Sequence, residues 1–548
     1  MKTFGIYLCY PPKVDLRAQG LGRYLAEFLK EAKVRADVRF VIACPSWMRE
    51  SLKEWSRAVG LQPDAFEVIG PEKVPTLLRF YEAYQKYRLY RLRKRKKVRD
   101  YLSRMRAAFG AIVTYVPRTA ATTRSIAALV LIGVIAFPVL LVYYAVRSIK
   151  RSVPFRRAYR ALIRRYRSRL TPNVGGLVAR PQDNGLALQL YRYMETAEAR
   201  LLSLEIEKRR EISAWFAPTA FWPHFNDIKA PRLICVPDVV LSDFPVAFSA
   251  VNDERFLETF RLVEKTIHGG AQFVTYSLDV KQRTLVDRYG VPPEKVSVIP
   301  HGVNRLDELV KISGLANADA VTDAFCVKLF GSALGKATTT KSAHRFAKEG
   351  IKFIFYASQF RPNKNVLTLL RAYNHLLKRR YLPHKLIMTG NPYGLPEIAK
   401  FIEEHNLEDD VLCLQGLSDR ELAACYRLAD LSVNPSLSEG GCPFTLTESL
   451  SVDTPVVMAR IAVTEELVTD RELRDLMLFD PYNWKDMAGK IEWALSNRAH
   501  LLKNQRALYD QLTKRSWTNV VDEYITLLDR ISSDRADRIP EPVSKPAA

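Results

Sequence analysis

Apolar runs of strand character alternate with helical patterns throughout the C-terminal half of the chain. The pattern predicts strands at 352–358, 385–389, 411–415, 431–434, 455–459 and 476–480, and helices over 366–377, 395–405, 419–429, 445–452 and 483–496. Parallel strands joined at such short spacing require right-handed helical crossovers, so this half reads as a Rossmann-like layer. The same theme opens the chain, with a strand at 3–10, a helix at 21–30 and a strand at 38–44. It then breaks off and resumes near Leu186, through short strand-like runs at 214–217, 233–237, 273–277 and 296–300. Two Rossmann-like domains, the first carrying a long insertion, account for this order. The expected boundaries are 1–70 plus 180–305 for the first domain, 71–179 for the insertion, 306–515 for the second domain, a closing helix at 516–535, and a Pro-rich, disordered tail at 536–548.

Charge changes the picture of the insertion more than of the domains. Of a net +24 over 548 residues, the window 71–170 holds 25 Lys and Arg against three acids, which leaves the rest of the chain close to neutral. Inside this window 126–146 carries no charge and is bounded by Arg124 and Arg147. As a helix it would reach roughly 30 Å, enough to cross a bilayer's hydrocarbon. A single crossing is incompatible with the order of strands, because residues on both sides of the insertion must build one sheet. Pro138 in mid-run, a second apolar run at 107–116, and basic flanks on both sides favour a re-entrant or monotopic hairpin entered from the cytoplasmic face. The basic stretches 91–99 and 156–169 would then lie on anionic headgroups.

Other classes fit less well. A content of 48% hydrophobic and 26% charged residues is that of a globular chain. The seven cysteines are scattered without a CxxC pair, which suits a reducing cytosol and implies no metal site. The apolar run at 4–10 is too short for a signal peptide and reads as a buried strand. A nucleic-acid binder would use the basic window, but cations interleaved with a long apolar run suit lipid better.

The densest chemistry lies at 434–457: Asn-Pro-Ser-Leu-Ser-Glu439-Gly-Gly-Cys-Pro-Phe-Thr-Leu-Thr-Glu448-Ser-Leu-Ser-Val-Asp-Thr-Pro-Val-Val. A strand runs into a Gly-containing loop and then a helix, whose first-turn N–H groups suit phosphate or sugar oxygens, while the two glutamates suit hydroxyls. At the first strand-to-helix turn of the same domain stands Tyr-Ala-Ser-Gln359-Phe-Arg361-Pro-Asn-Lys364-Asn. Val298-Ile-Pro-His301-Gly-Val-Asn304 marks the passage between domains, and Gly20-Leu-Gly22-Arg23 opens the first helix.

These strings resemble the retaining, GT-B-fold glycosyltransferases of family 4, the group 1 glycosyltransferases. The resemblance spans nearly the whole chain apart from the insertion. It implies an α/β GT-B fold, two Rossmann-like domains facing a central cleft, with a helical, basic and hydrophobic insertion in the first. It places Glu439 at the transferred sugar, Glu448 at the nucleotide ribose, and the N–H groups of Gly441, Cys442, Pro443, Phe444 and Thr445 near sugar and diphosphate, except that proline has no N–H to offer. Lys364 and Arg361 would neutralise the leaving diphosphate, with Gln359 at the position usually held by Arg, and Gly22 and Arg23 near the phosphates. The chain departs from the family in two places. Eight residues separate Glu439 from Glu448, one more than usual. The usual His-Asp pair is replaced by Cys235-Val-Pro237-Asp238, leaving Asp238 in the cleft and His224 as a substitute histidine.

The resemblance further implies a nucleotide-sugar donor, GDP-linked ahead of UDP-linked, no cofactor or metal, and a leaving phosphate that itself takes the acceptor proton. With the insertion it points to a polyprenyl-linked saccharide acceptor at the cytoplasmic face of the inner or plasma membrane, as in O-antigen or exopolysaccharide assembly. A non-catalytic membrane scaffold with a degenerate fold is the alternative that the two departures keep open. Membrane association carries its own test in liposome co-sedimentation: the chain is expected to bind anionic vesicles and to be released as salt rises, whereas salt-sensitive binding to RNA without vesicle binding would reverse the assignment.

Overall fold

The computed structural model describes residues 1–83 and 186–536, apart from 13, 17–19, 63, 253, 339–342 and 348–349, together with isolated positions between 86 and 141. The apolar run at 126–146 lies mostly outside the described residues, and the second run at 107–116, the basic stretches 91–99 and 156–169 and the tail beyond 536 lie wholly outside them. Among the described residues no helix is long and apolar enough to cross a membrane. The chain divides into two compact units, Met1–Glu72 with Glu198–Ala548, and Lys73–Ala197. The first unit holds both α/β layers.

The first layer is built from β1 (Lys2–Tyr7), α1 (Gly20–Val34), β2 (Val38–Ala43), α2 (Met48–Ala58), β3 (Glu67–Ile69), α3 (Leu186–Glu207), β4 (Ile212–Ala217), β5 (Arg232–Cys235), α4 (Pro245–Asn252), α5 (Glu254–His268), β6 (Gln272–Thr275), α6 (Val280–Arg288) and β7 (Val296–Val298). Its seven strands lie in the order β3-β2-β1-β4-β5-β6-β7, parallel at every pairing. Central strands of such a sheet are covered on both faces, which is why β1 and β4 read as nearly continuous apolar runs. The strand and helix pattern does not stop at residue 44 as the sequence suggested. It continues through α2 and β3 before the insertion begins, and β3 escaped notice because it has only three residues, one of them Glu67.

The second layer comprises α7 (Ala318–Leu334), β8 (Phe353–Ala357), α8 (Val366–Arg379), β9 (Lys385–Thr389), α9 (Pro396–Glu404), β10 (Val411–Leu414), α10 (Asp419–Leu428), β11 (Leu431–Asn434), α11 (Phe444–Ser451), β12 (Val456–Ala459), α12 (Ala462–Leu467), α13 (Arg471–Met477), β13 (Leu478–Phe479), α14 (Trp484–Ser496) and α15 (Arg498–Thr513). The six strands follow the order β10-β9-β8-β11-β12-β13, again all parallel. All six expected strands are present within a few residues of their expected ends. Helix α7 was not anticipated: Cys326 is fully buried while its neighbour Val327 is exposed, so apolar residues occupy both faces and no stripe stands out.

Helix α16 (Trp517–Ala536) leaves the second layer and packs on the first. Val520, Tyr524 and Leu528 are fully buried or nearly so in the core beneath α1 and β4, where Tyr524 meets Phe28 and Phe216 edge-on at centroid distances of 5.4 and 5.0 Å. Rim pairs such as Lys2 with Asp529 at 2.7 Å are exposed and contribute little by comparison.

Strand β12 starts two residues before β13 can pair with it, and Gln505 of α15 fills the gap. Its amide donates to the Val456 carbonyl at 2.6 Å and accepts from the Val456 N–H at 3.1 Å, with no exposure to solvent. Removing that amide orphans both a buried donor and a buried acceptor, each worth about 1–3 kcal/mol. Gln505→Leu is therefore expected to lower stability by roughly 2–6 kcal/mol in urea unfolding monitored by circular dichroism; a change within experimental error would deny the side chain this role.

Candidate active site in the interdomain cleft

In each sheet the chain reverses direction between two adjacent strands, at β1/β4 in the first and β8/β11 in the second. Loops diverge at the carboxyl edge of such switch points and leave a crevice there. The loop into α1, the turn after β8 and the long loop between β11 and α11 all reach one cleft of about 620 Å³ between the domains. Gly20 and Leu21, Asp238, Arg361, and Glu439 to Phe444 line it.

Lys364 and Glu439 meet in this cleft at 2.7 Å. Burial alone would discharge Lys364, but the Glu439 carboxylate, with Asp238 behind it, outweighs burial and raises its pKa. The turn carrying Lys364 is fastened to the glutamate loop through the main chain: Leu437 N–H donates to the Asn363 carbonyl at 2.8 Å, and Asn363 Nδ2 to the Ser438 carbonyl at 3.4 Å. Asn365 closes the turn in the left-handed region at φ 53°, where Asn is tolerated better than most residues. Arg361 and Gln359 bond to each other at 3.1 Å. Arg361 lines the cleft, and its charge is felt at Asp238.

Glu448 lies one turn into α11 with only 2% of its side chain exposed. Arg23 of α1 reaches across the cleft to pair with it, and Asn304 Nδ2 donates to the same oxygen at 3.3 Å. The carboxylate in turn drives Arg23 further toward its charged form. Gly22, one residue earlier, packs where a Cβ would come within 1.9 Å of the Leu16 carbonyl oxygen, so the start of α1 can sit this deep only with glycine there. Thr445 is held by Asn434 Nδ2 at 2.8 Å, which ties the first turn of α11 to the end of β11.

The Gly-Gly loop presses directly on the first domain. A Cβ on Gly440 would lie 1.8 Å from the Pro237 carbonyl oxygen, and one on Gly441 would lie 2.6 Å from Tyr276 Cβ. Ser277 Oγ donates to the Gly440 carbonyl at 3.0 Å, while Glu466 of α12 accepts from the N–H groups of Leu278 and Asp279 at 3.0 and 3.4 Å. Asp238 lines the cleft, where partial desolvation by the facing loops raises its pKa, with Lys364 and then Arg361 opposing. The Cys442 thiol is pushed up to about 12 by burial, so it stays protonated.

His301 is more than a hinge residue. Its ring lies 4.5 Å from that of Phe444 and 5.6 Å from that of Tyr276, it lines the cleft, and burial lowers its pKa. Its imidazole is therefore neutral at pH 7. His224 pairs with Asp227 at 3.1 Å and is not among the residues that line the cleft. Among the described residues no three His, Cys, Asp or Glu side chains gather as a metal site would require.

The sequence pattern of the glycosyl transferases group 1 matches residues 338–514. Residues 338–514 are a group 1 glycosyltransferase domain. The serotype-specific mannosyltransferase WbdA of Escherichia coli is 29% identical over 186 residues, 32% of this chain and 22% of that protein. The O-antigen chain mannosyltransferase RfbU of Salmonella typhimurium is 25% identical over 288 residues, 52% of this chain and 68% of that protein. The match thus spans about a fifth of the WbdA relative's length. The N-terminal domain of Candida albicans trehalose-6-phosphate phosphatase shares the fold, with a TM-score of 0.55, 11% identity and 97% of each chain covered. The two facing Rossmann-like layers are those of the GT-B fold.

Several residues of this glycosyltransferase cleft carry no signal in the sequence. Asn304, the adjacent Tyr276 and Ser277, and Glu466 come from three separate segments, and only the approach of the two domains gives them a role. Asn304 alone stood within a quoted motif. For Asp238 the raised pKa means that the folded chain holds the proton more tightly than the unfolded one, so stability contributed by the protonated form is lost as pH rises past the ordinary carboxyl value near 4. Asp238→Asn is accordingly expected to melt higher than the parent at pH 7, and the gain should vanish toward pH 4. A lower melting temperature at pH 7 would mean that Lys364 and Arg361 stabilise the charge outright.

Proposed function

We propose that this chain is a retaining glycosyltransferase that moves a hexose, mannose ahead of other sugars, from a nucleotide diphosphate donor to a lipid-linked saccharide in cell-surface polysaccharide assembly. The observation that carries the reading is the Lys364–Glu439 pair facing Asp238 at the meeting of the two switch points. Mannose is favoured because WbdA and RfbU are named mannosyltransferases. The lipid-linked acceptor and the cytoplasmic membrane face rest on the basic, apolar insertion. GDP is preferred to UDP as the carrier.

In this reading the bond from the sugar's anomeric carbon to the diphosphate oxygen breaks, a bond from that carbon to an acceptor hydroxyl oxygen forms on the same face, and the acceptor proton passes to the departing diphosphate. Lys364 and Arg361 stabilise the charge that grows on the diphosphate, which is the largest contribution the site can make. Glu439 accepts from sugar hydroxyls and fixes the donor's orientation, while Glu448 holds the ribose. Asp238 and the neutral imidazole of His301 face the sugar from the first domain. The diphosphate would draw on the same cations that now pair with Glu439 and Glu448, so donor binding rearranges both pairs.

Glu439→Ala is expected to reduce transfer on the order of 10²-fold or more, with an unchanged circular dichroism spectrum and melting temperature within a few degrees of the parent. Full activity in that variant would remove the site. A thermal-shift panel fixes the carrier: GDP and GDP-mannose should raise the melting temperature above UDP and its sugars, since stabilisation follows affinity. The opposite ranking would reassign the donor.

A further inference from the structure

Helix α8 buries Leu369, Leu370, Tyr373 and Leu376 against its own sheet. The opposite face carries Arg371, Asn374, His375, Lys378 and Arg379 at helical spacing, and no carboxylate. Like charges one turn apart repel, and such a face is ordinarily laced with acids. Among the described residues neither Arg371 nor Arg379 makes an ion pair, although Arg380 beside them pairs with Glu492 at 2.9 Å. These side chains form one wall of a cavity of about 470 Å³.

The remaining wall is aromatic. Trp484, at the start of α14, has its ring 5.2 Å from that of His375, and Phe401 stacks on His405 at 3.9 Å and 14°. The cations call for an anion and the indole for a flat apolar face. A bare phosphate supplies only the first of these.

We propose that the groove between α8, α9 and α14 is a second ligand site that binds a phosphorylated saccharide: phosphate on Arg371 and Arg379, and a sugar face against Trp484. The inference does not depend on the transfer reaction in the cleft, since it uses none of the same residues.

Isothermal titration of the full chain with glucose 6-phosphate tests it, with glucose, inorganic phosphate and phosphatidylglycerol vesicles as separate arms. One-site binding is expected, at least about tenfold weaker in Arg371→Glu/Arg379→Glu and in Trp484→Ala, and at least about tenfold weaker for glucose or phosphate alone. GDP affinity, read in the same variants, should stay unchanged and reports an intact fold and cleft. Undiminished glucose 6-phosphate binding in the double variant would place the ligand elsewhere and overturn the proposal. Equal binding of inorganic phosphate would reduce the groove to an anion patch. Vesicle binding that the double variant loses, without any response to glucose 6-phosphate, would make it a lipid-facing surface; either result, or no binding at all, also overturns it.

Discussion

The cleft depends on how closely the Gly440–Gly441 backbone approaches the first domain. With contact distances under 3 Å to any added Cβ at both positions, no other residue fits without opening the seam. The approach brings Glu439 and Lys364 of one domain beside Asp238 of the other, and it sets Phe444 against His301. Pro237 takes part through its carbonyl rather than its ring. A residue that breaks the usual family pattern is thus a main-chain platform, and His301, at the exit of β7 two strands away, lines the same cleft.

Charge in the cleft is balanced before any ligand arrives. Glu439 pairs with Lys364, and the almost fully buried Glu448 with Arg23. A carboxylate enclosed to that degree is costly without a partner, and each pair holds its glutamate in place. The pairs differ in origin: Lys364 and Glu439 lie on adjacent loops of one layer, whereas Arg23 crosses from the other. The second pair therefore reports domain closure, and a diphosphate that drew Arg23 away would change the link between domains as well as the site.

The switch points explain why such scattered segments meet. Both layers share one strand order, so each has a crevice at the carboxyl edge of its first and fourth strands. Helix α16 joins the two by leaving the second layer for the core of the first, where Tyr524 sits among Tyr24, Phe28 and Phe216. The insertion leaves the first layer after edge strand β3 and returns through α3, whose buried Glu198 accepts from Ser46 Oγ at 2.9 Å. A long excursion between β3 and β4 leaves the pairing of β1 with β4 intact.

The sequence by itself determined the two-layer α/β order, nearly every strand, and the residues of the Lys364, Glu439 and Glu448 loops. Period and composition carry strands and loop chemistry directly, since each is a property of a few adjacent residues. It missed β3, too short to show a period, and α7, whose apolar residues occupy both faces. Only the tertiary structure decided that Arg23 and Asn304 share Glu448, that Ser277 and Glu466 hold the seam, that His301 enters the cleft while His224 stays out, and that the basic face of α8 meets Trp484. Each of these joins residues tens to hundreds of positions apart. Such contacts follow from how two finished layers pack, and no local pattern along the chain encodes them.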